Sequence, residues 1–182
     1  TKGFCTDVFF QAALGWIKKQ HDARTPFFAY ITTNAPHSPY IVDPRYSDPY
    51  LGQVETVDRA EFYGMIACID ENLGVLRAQL DQWDLAENTI LIFMTDNGGT
   101  GGIKVYNAGM RGAKASLYDG GHRVPCFIRW PNGELREPGD VDALTRGQDI
   151  LPTLIDLCGL KKPAGVKFDG MSLLRLLRGQ PQ

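Results

Sequence analysis

Thr89-Ile90-Leu91-Ile92-Phe93-Met94, running into Thr95-Asp96-Asn97-Gly98, is the stretch that decides the fold. Its first half is a short, continuous apolar run bounded by turn residues. Such a run reads as a central strand of a parallel sheet, covered on both faces. Asp96 and Asn97 then fall just past its carboxyl end, where α/β sheets bind their ligands.

Working outward, helix-like and strand-like segments alternate along the chain. Before the run, Tyr63, Ile66, Ile69, Leu73, Leu76 and Leu80 recur every three or four residues, predicting a long amphipathic helix over Glu55 to Leu80. Phe9, Phe10, Ala13, Leu14 and Ile17 predict an earlier helix over Thr6 to Lys19, with Thr6 or Asp7 available as its cap. Between these helices, Phe27 to Thr32 is short, aromatic and β-rich, and reads as a buried strand. Four prolines between Asn34 and Tyr50 predict a long irregular loop. After the run, six glycines between Gly98 and Gly112 predict a second long loop. Arg123 to Trp130 reads as another strand, and Asp149 to Cys158 as a helix closed by Gly159. Phe168 to Arg178 is a short apolar stretch with basic residues at its rim. Strands separated by helices predict an α/β fold with a mostly parallel sheet flanked by helices.

The composition bounds the function. The 182 residues are 43% hydrophobic and 22% charged, the range of globular domains, with a formal net charge of −2. That balance lacks the basic excess of a nucleic-acid-binding chain. Apolar runs such as Ile90 to Met94 are far shorter than the roughly 18 residues of a membrane-spanning helix. Thr1 to Cys5 holds no charged-then-apolar signal segment. Cys5, Cys68, Cys126 and Cys158 lie far apart without a CxxC pair, and are expected to be buried small hydrophobes.

Polar groups gather at the strand ends. Asp96 and Asn97 offer a carboxylate and a side-chain carbonyl, oxygen ligands for a hard divalent cation or, alternatively, the two halves of an Asx turn. His37, in Asn34-Ala35-Pro36-His37, reads as a catalyst or as a solvated loop histidine. Lys114, in Arg111-Gly112-Ala113-Lys114, reads as an anion contact or as a surface lysine; its flanking glycine would let an anion approach the backbone. Known nucleotide and hydrolase patterns fail. Gly112-Ala113-Lys114-Ala115-Ser116 is not a phosphate loop, Gly98 to Gly102 is not GxGxxG, and no serine sits in a GxSxG elbow.

Taken in order, the motifs resemble those of the type I sulfatases. These are Pro26-Phe27-Phe28 with Asn34-Ala35-Pro36-His37-Ser38-Pro39; Tyr63-Gly64-Met65-Ile66 through Gly74; Asn88-Thr89-Ile90 to Gly98; and Arg111 to Lys114 with Tyr118-Asp119-Gly120-Gly121-His122-Arg123-Val124-Pro125. The resemblance spans nearly the whole chain. It implies an alkaline-phosphatase-like fold and hydrolysis of sulfate esters, with a sulfated small molecule or sulfated glycan as partner. It also implies that Asp96 and Asn97 ligate calcium, and that His37 contacts the sulfate or protonates the leaving-group oxygen. Lys114 would hold a sulfate oxygen, while Asp119 and Arg123 shape its loop. The parent enzyme would be periplasmic, secreted or lysosomal.

One departure is large. The family's formylglycine nucleophile is made from a cysteine or serine in C/S-x-P/A-x-R, and no cysteine or serine here sits in that pattern. The family's paired aspartates on the first strand are absent as well; Asp70-Glu71 lies within the predicted long helix. Calcium takes six to eight oxygens, and Asp96 with Asn97 supplies two or three. The chain is therefore expected to be a partial domain. Residues 1–182 would be the later part of a sulfatase catalytic domain, lacking the N-terminal half with the nucleophile and the C-terminal subdomain. By itself it is expected to be inactive. The alternatives are a phosphomonoesterase or phosphodiesterase of the same superfamily, and a non-catalytic binding domain.

Overall fold

A computed structural model describes residues 2–180. The long helix forms as the periodicity predicts. This helix, α3, spans Val57–Gln82, and the Thr56 hydroxyl caps it by accepting from the Arg59 amide. Its contact face differs from the apolar stripe, however. Ala60, Phe62, Gly64, Met65, Cys68, Leu76 and Leu80 are buried, whereas Ile66 is exposed. Small residues decide this. A Cβ on Gly64 would lie 2.9 Å from the Ser47 backbone nitrogen and from Val42, so the absence of one lets the preceding segment approach.

That segment carries α2 (Pro44–Ser47), which sits inside the stretch expected to be wholly irregular. Asp43 accepts from the Arg45 amide, and Pro44 stands in the first turn, so two local signals start the helix. The first helix, α1 (Cys5–Asp22), is longer than predicted, and Phe4 rather than Thr6 or Asp7 occupies its cap. Thr6 is instead fully buried within the helix. Asp7 faces α3: its Oδ1 accepts from the Asn72 side-chain amide at 2.7 Å and from the Cys68 thiol at 3.6 Å.

The sheet is smaller than predicted. Among the described residues, β1 (Leu91–Met94) and β2 (Cys126–Arg129) pair into a two-stranded sheet. Both are shorter than the runs that predicted them, and β1 is half-buried rather than covered on both faces. Phe27 to Thr32 is not a strand. It keeps the period-two alternation of one, with Phe28 72% and Tyr30 82% exposed between half-buried neighbours. A strand exists only when its amides find a ladder, and no strand pairs with this segment among the described residues.

The chain divides into two compact units, Thr1–Ala86 with Ile92–Phe127, and Glu87–Leu91 with Ile128–Gln182. The first holds α1 to α3, the four-residue helix α4 (Asp119–His122) and all four candidate site residues. In the second, α5 (Ile150–Leu157) forms where expected, with Pro152 in its first turn and Gly159 left-handed after its end. The apolar tail supplies α6 (Leu174–Leu177). Asp149 and Thr153 bind the tail to α5. Asp149 accepts from the Met171 and Arg146 amides, each at 2.9 Å, and Thr153 Oγ1 accepts from the Leu173 amide at 2.8 Å.

The cysteines depart from expectation. All four are free thiols; Cys68 is buried and Cys5 half-buried, but Cys126 and Cys158 are exposed. An apolar run places a cysteine in a strand or helix without deciding which face it takes.

Candidate active site

The Asp-Asn-Gly turn after β1 is built on backbone contacts between glycines. The Gly98 amide donates to the Gly121 carbonyl at 3.0 Å, and the Gly120 amide to the Arg111 carbonyl at 2.8 Å. These approaches leave no room for side chains. A Cβ on Gly98 would lie 1.9 Å from the Gly120 carbonyl oxygen, and one on Gly120 would lie 2.2 Å from the Gly112 oxygen. The glycines of Asp96-Asn97-Gly98 and of Asp119-Gly120-Gly121 thus lock two distant loops together.

The same lock brings Lys114 in. Its amide donates to the Gly99 carbonyl at 3.1 Å, two residues from Asn97. The glycine-rich segment between them is therefore a closed loop, with Asp96, Asn97 and Lys114 at its neck. Ser116 stabilises the turn after Lys114: its amide donates to the Ala113 carbonyl and its hydroxyl accepts from the Ala113 amide. Ala115 takes a left-handed φ of 69°, a conformation that costs a non-glycine residue about 1 kcal/mol or more. Arg111 lies over the Tyr118 ring, 3.6 Å from its centroid, and pins the loop's far side.

At the neck, the polar groups are available. The Asp96 carboxylate is exposed and makes no hydrogen bond or ion pair among the described residues. Asn97 donates through Nδ2 to the Gly98 carbonyl at 2.9 Å, which leaves its Oδ1 free to accept or ligate. Lys114 is exposed, and its Nζ has no ion pair among the described residues. No group of three or more His, Cys, Asp or Glu side chains forms a metal site among the described residues. The Asp96 carboxylate and the Asn97 Oδ1 are hard oxygens with free lone pairs, the donor type calcium takes, and two residues fall short of the six to eight oxygens it usually binds.

His37 sits on the neighbouring loop. The His37 amide donates to the Asn34 carbonyl at 2.8 Å, and the imidazole Nδ1 lies 2.9 Å from the Ser38 carbonyl oxygen. A carbonyl only accepts, so Nδ1 carries a proton and Nε2 is left as the free nitrogen. Asn34 is itself held, its Oδ1 accepting from the Cys5 thiol at 2.9 Å. His37 shares no hydrogen bond with Asp96, Asn97 or Lys114. Its loop reaches theirs through Tyr40, which packs on Phe62, both rings filling the space beside Gly101. Sequence reading singled out the motif residues but missed Tyr40, Asn107 and Ser116. Only the motif glycines hinted at so close a backbone approach.

The Sulfatase family profile matches residues 2–160. The chain belongs to the sulfatase family. This sulfatase chain is 32% identical over 184 residues to the uncharacterized sulfatase YdeN of Escherichia coli (strain K12), covering 100% of the chain and 32% of that protein. It is 31% identical to the N-acetylgalactosamine-6-sulfatase of Canis lupus familiaris, covering 96% of the chain and 33% of that enzyme. The chain thus spans about a third of the length of these curated relatives. Among solved structures it matches Ps i-CgsB, crystallised with k-i-k-neocarrahexaose, with a TM-score of 0.84 at 26% identity. That match covers 99% of this chain and 40% of the other. The fold is accordingly that of the sulfatases, present here as a partial domain with a small sheet.

Proposed function

We propose that this chain is the later part of the catalytic domain of a calcium-dependent sulfatase, and that it supplies one side of the active site. The closed loop that puts Lys114 beside Gly99, two residues from Asn97, carries the reading. It joins the backbone that carries a lysine to the backbone that carries two oxygen donors, which supports a site for an anionic ester.

In this reading Asp96 and Asn97 hold calcium through the Asp96 carboxylate and the Asn97 Oδ1. When bound, the ion draws negative charge from the sulfate oxygens. Lys114 places its ammonium against a sulfate oxygen and offsets the charge that grows as the ester bond breaks. His37, with its ring protonated on both nitrogens, uses Nε2–H, on the nitrogen its Ser38 contact leaves uncommitted, to contact the sulfate or give a proton to the leaving oxygen. The formylglycine nucleophile and the remaining calcium ligands come from a preceding N-terminal half, and a smaller subdomain follows. The substrate is a sulfate ester, and a sulfated glycan is favoured by the N-acetylgalactosamine-6-sulfatase relative and by the neocarrahexaose complex. The parent enzyme works in the periplasm, outside the cell or in the lysosome.

The test is hydrolysis of 4-nitrocatechol sulfate by the full-length protein and by the 182-residue chain, each with calcium and with a chelator. Calcium-dependent turnover by the full-length protein alone is the expected result. Turnover by the short chain would overturn the partial-domain reading. A full-length protein inert toward every sulfate ester would overturn the sulfatase assignment.

A further inference from the structure

The closed loop between Gly99 and Lys114 ends in a tip that the chemistry at its neck does not use. Lys104, Val105 and Tyr106 are all exposed there, and Tyr106 is 75% exposed. An exposed aromatic on a floppy loop would mean little, but this tip is fixed. The Gly102 carbonyl accepts from the Val105 and Tyr106 amides, each at 3.0 Å, and from the Tyr63 hydroxyl of α3 at 3.1 Å. Gly102 also sits flush against α3, where a Cβ would lie 2.8 Å from both the Phe62 ring and the Tyr63 hydroxyl. On the other limb, the Asn107 side chain donates to the Met110 and Gly112 carbonyls at 2.7 and 2.9 Å.

The tip is therefore a rigid turn, anchored on a long helix and closed at the site residues. It presents an uncovered aromatic ring and, two residues before it, a lysine with no ion pair among the described residues. A tyrosine ring offers a flat apolar face with little conformational entropy to lose, and a pre-ordered turn lowers that cost further. The C–H face of a pyranose ring is the complement of such a surface. The ammonium of Lys104 complements an anionic substituent on the same or the next sugar.

We propose that Lys104 and Tyr106 form a subsite for the sugar portion of a sulfated oligosaccharide, with Tyr106 stacking on a ring beyond the one that carries the scissile sulfate. Lys104 meets a further sulfate or carboxylate. This subsite rests on the sulfatase reading above and sets specificity without touching the reacting atoms. A small aryl sulfate, which ends at the neck, does not reach it.

The experiment uses the full-length protein with two substrates, a sulfated galactan hexasaccharide and 4-nitrocatechol sulfate. Tyr106→Ala is expected to raise KM for the hexasaccharide about tenfold with kcat little changed, and to leave both constants for the aryl sulfate as they were. Tyr106→Trp is expected to keep hexasaccharide binding, and Lys104→Ala to raise KM chiefly at low salt. Equal losses on both substrates, or no loss on either, would overturn the subsite. Failure of the underlying sulfatase reading looks different, because the unmutated protein then hydrolyses neither compound. In that event calorimetric titration with the hexasaccharide decides, and equal affinity of the wild type and Tyr106→Ala would overturn the proposal.

Discussion

The Gly98 amide bonds to the Gly121 carbonyl at 3.0 Å, so two loops far apart in sequence meet backbone to backbone. That single approach holds Asp96 and Asn97 against the segment that carries Lys114. Its tightness makes the first prediction. Gly98→Ala places a methyl 1.9 Å from a carbonyl oxygen that cannot move away cheaply, and is expected to cost about 3 kcal/mol or more. Gly74→Ala, on the exposed face of α3 with open space around it, is expected to stabilise by about 0.5–1 kcal/mol. Urea unfolding of the two variants checks both signs.

How much of this was legible in the sequence depends on which residues carried the information. Periodicity found α3, and Gly159 marked the end of α5, because both are local patterns. The motif order identified the family and picked out His37, Asp96, Asn97 and Lys114. Three things stayed hidden, each for a physical reason. The packing face of α3 is chosen by Gly64 and Cys68, small residues that an apolar count passes over. Phe27 to Thr32 has strand composition, but strand formation depends on a neighbouring ladder that composition does not encode. The loop closure at Lys114 is a backbone bond to Gly99, and backbone bonds between distant loops leave only glycines as their trace.

The neck chemistry yields the second prediction. Lys114 is exposed and its Nζ is unpaired among the described residues, so removing its charge leaves the fold intact. In the full-length protein, Lys114→Ala is expected to lower kcat/KM for 4-nitrocatechol sulfate by about 10²–10³, the scale of losing one preorganised charge contact. The unfolding midpoint is expected to stay within about 0.5 kcal/mol of wild type, as for other surface substitutions. Loss of activity only in step with loss of stability would assign Lys114 a structural role.

In the second unit, Asp149 is buried and accepts two backbone amides, from Arg146 and Met171. Asp149→Ala strands both donors and is expected to destabilise by about 3 kcal/mol. Thr153→Val keeps the shape but removes the acceptor for the Leu173 amide, at an expected cost of about 1–2 kcal/mol. Because both act on the same tail, their double mutant is expected to fall short of additivity in denaturant titrations.

Cys68 links stability to alkaline pH. Burial, and after it the Asp7 carboxylate, push the thiol up to about 11 from an ordinary 9.0. The folded chain then keeps this proton where the unfolded chain has lost it. Stability from this group is complete below pH 9 and is lost as pH rises toward 11. Tyr46, raised by burial and by Glu71, adds a loss of the same sign that begins higher, near its ordinary 10.0. Cys68→Ala is expected to make the first part of the decline shallower, leaving the parts due to Tyr46 and to Cys126 and Tyr63, which burial also raises. Unfolding midpoints measured from pH 8 to 11 test this, and an unchanged slope in the variant would refute it.

The imidazole of His37 offers the most selective test of the proposed chemistry. Its Nδ1 is committed to the Ser38 carbonyl, so only Nε2 is free to meet a substrate. An asparagine places its amide nitrogen near the Nδ1 position, and a glutamine places its own near Nε2. His37→Asn is thus expected to keep the loop bond and lose the working atom. His37→Gln is expected to restore a hydrogen-bond donor at the substrate but not a group that can hand over its proton. In the full-length protein, both variants should lose activity toward sulfate esters with poor leaving groups, where a proton must reach the departing oxygen. Toward activated aryl sulfates, whose leaving group departs without that proton, His37→Gln should retain clearly more kcat/KM than His37→Asn. Equal activity of the two variants on the activated ester would show that Nε2 makes no contact with the sulfate, and a wild-type rate for either on the poor leaving group would remove His37 from the proton transfer.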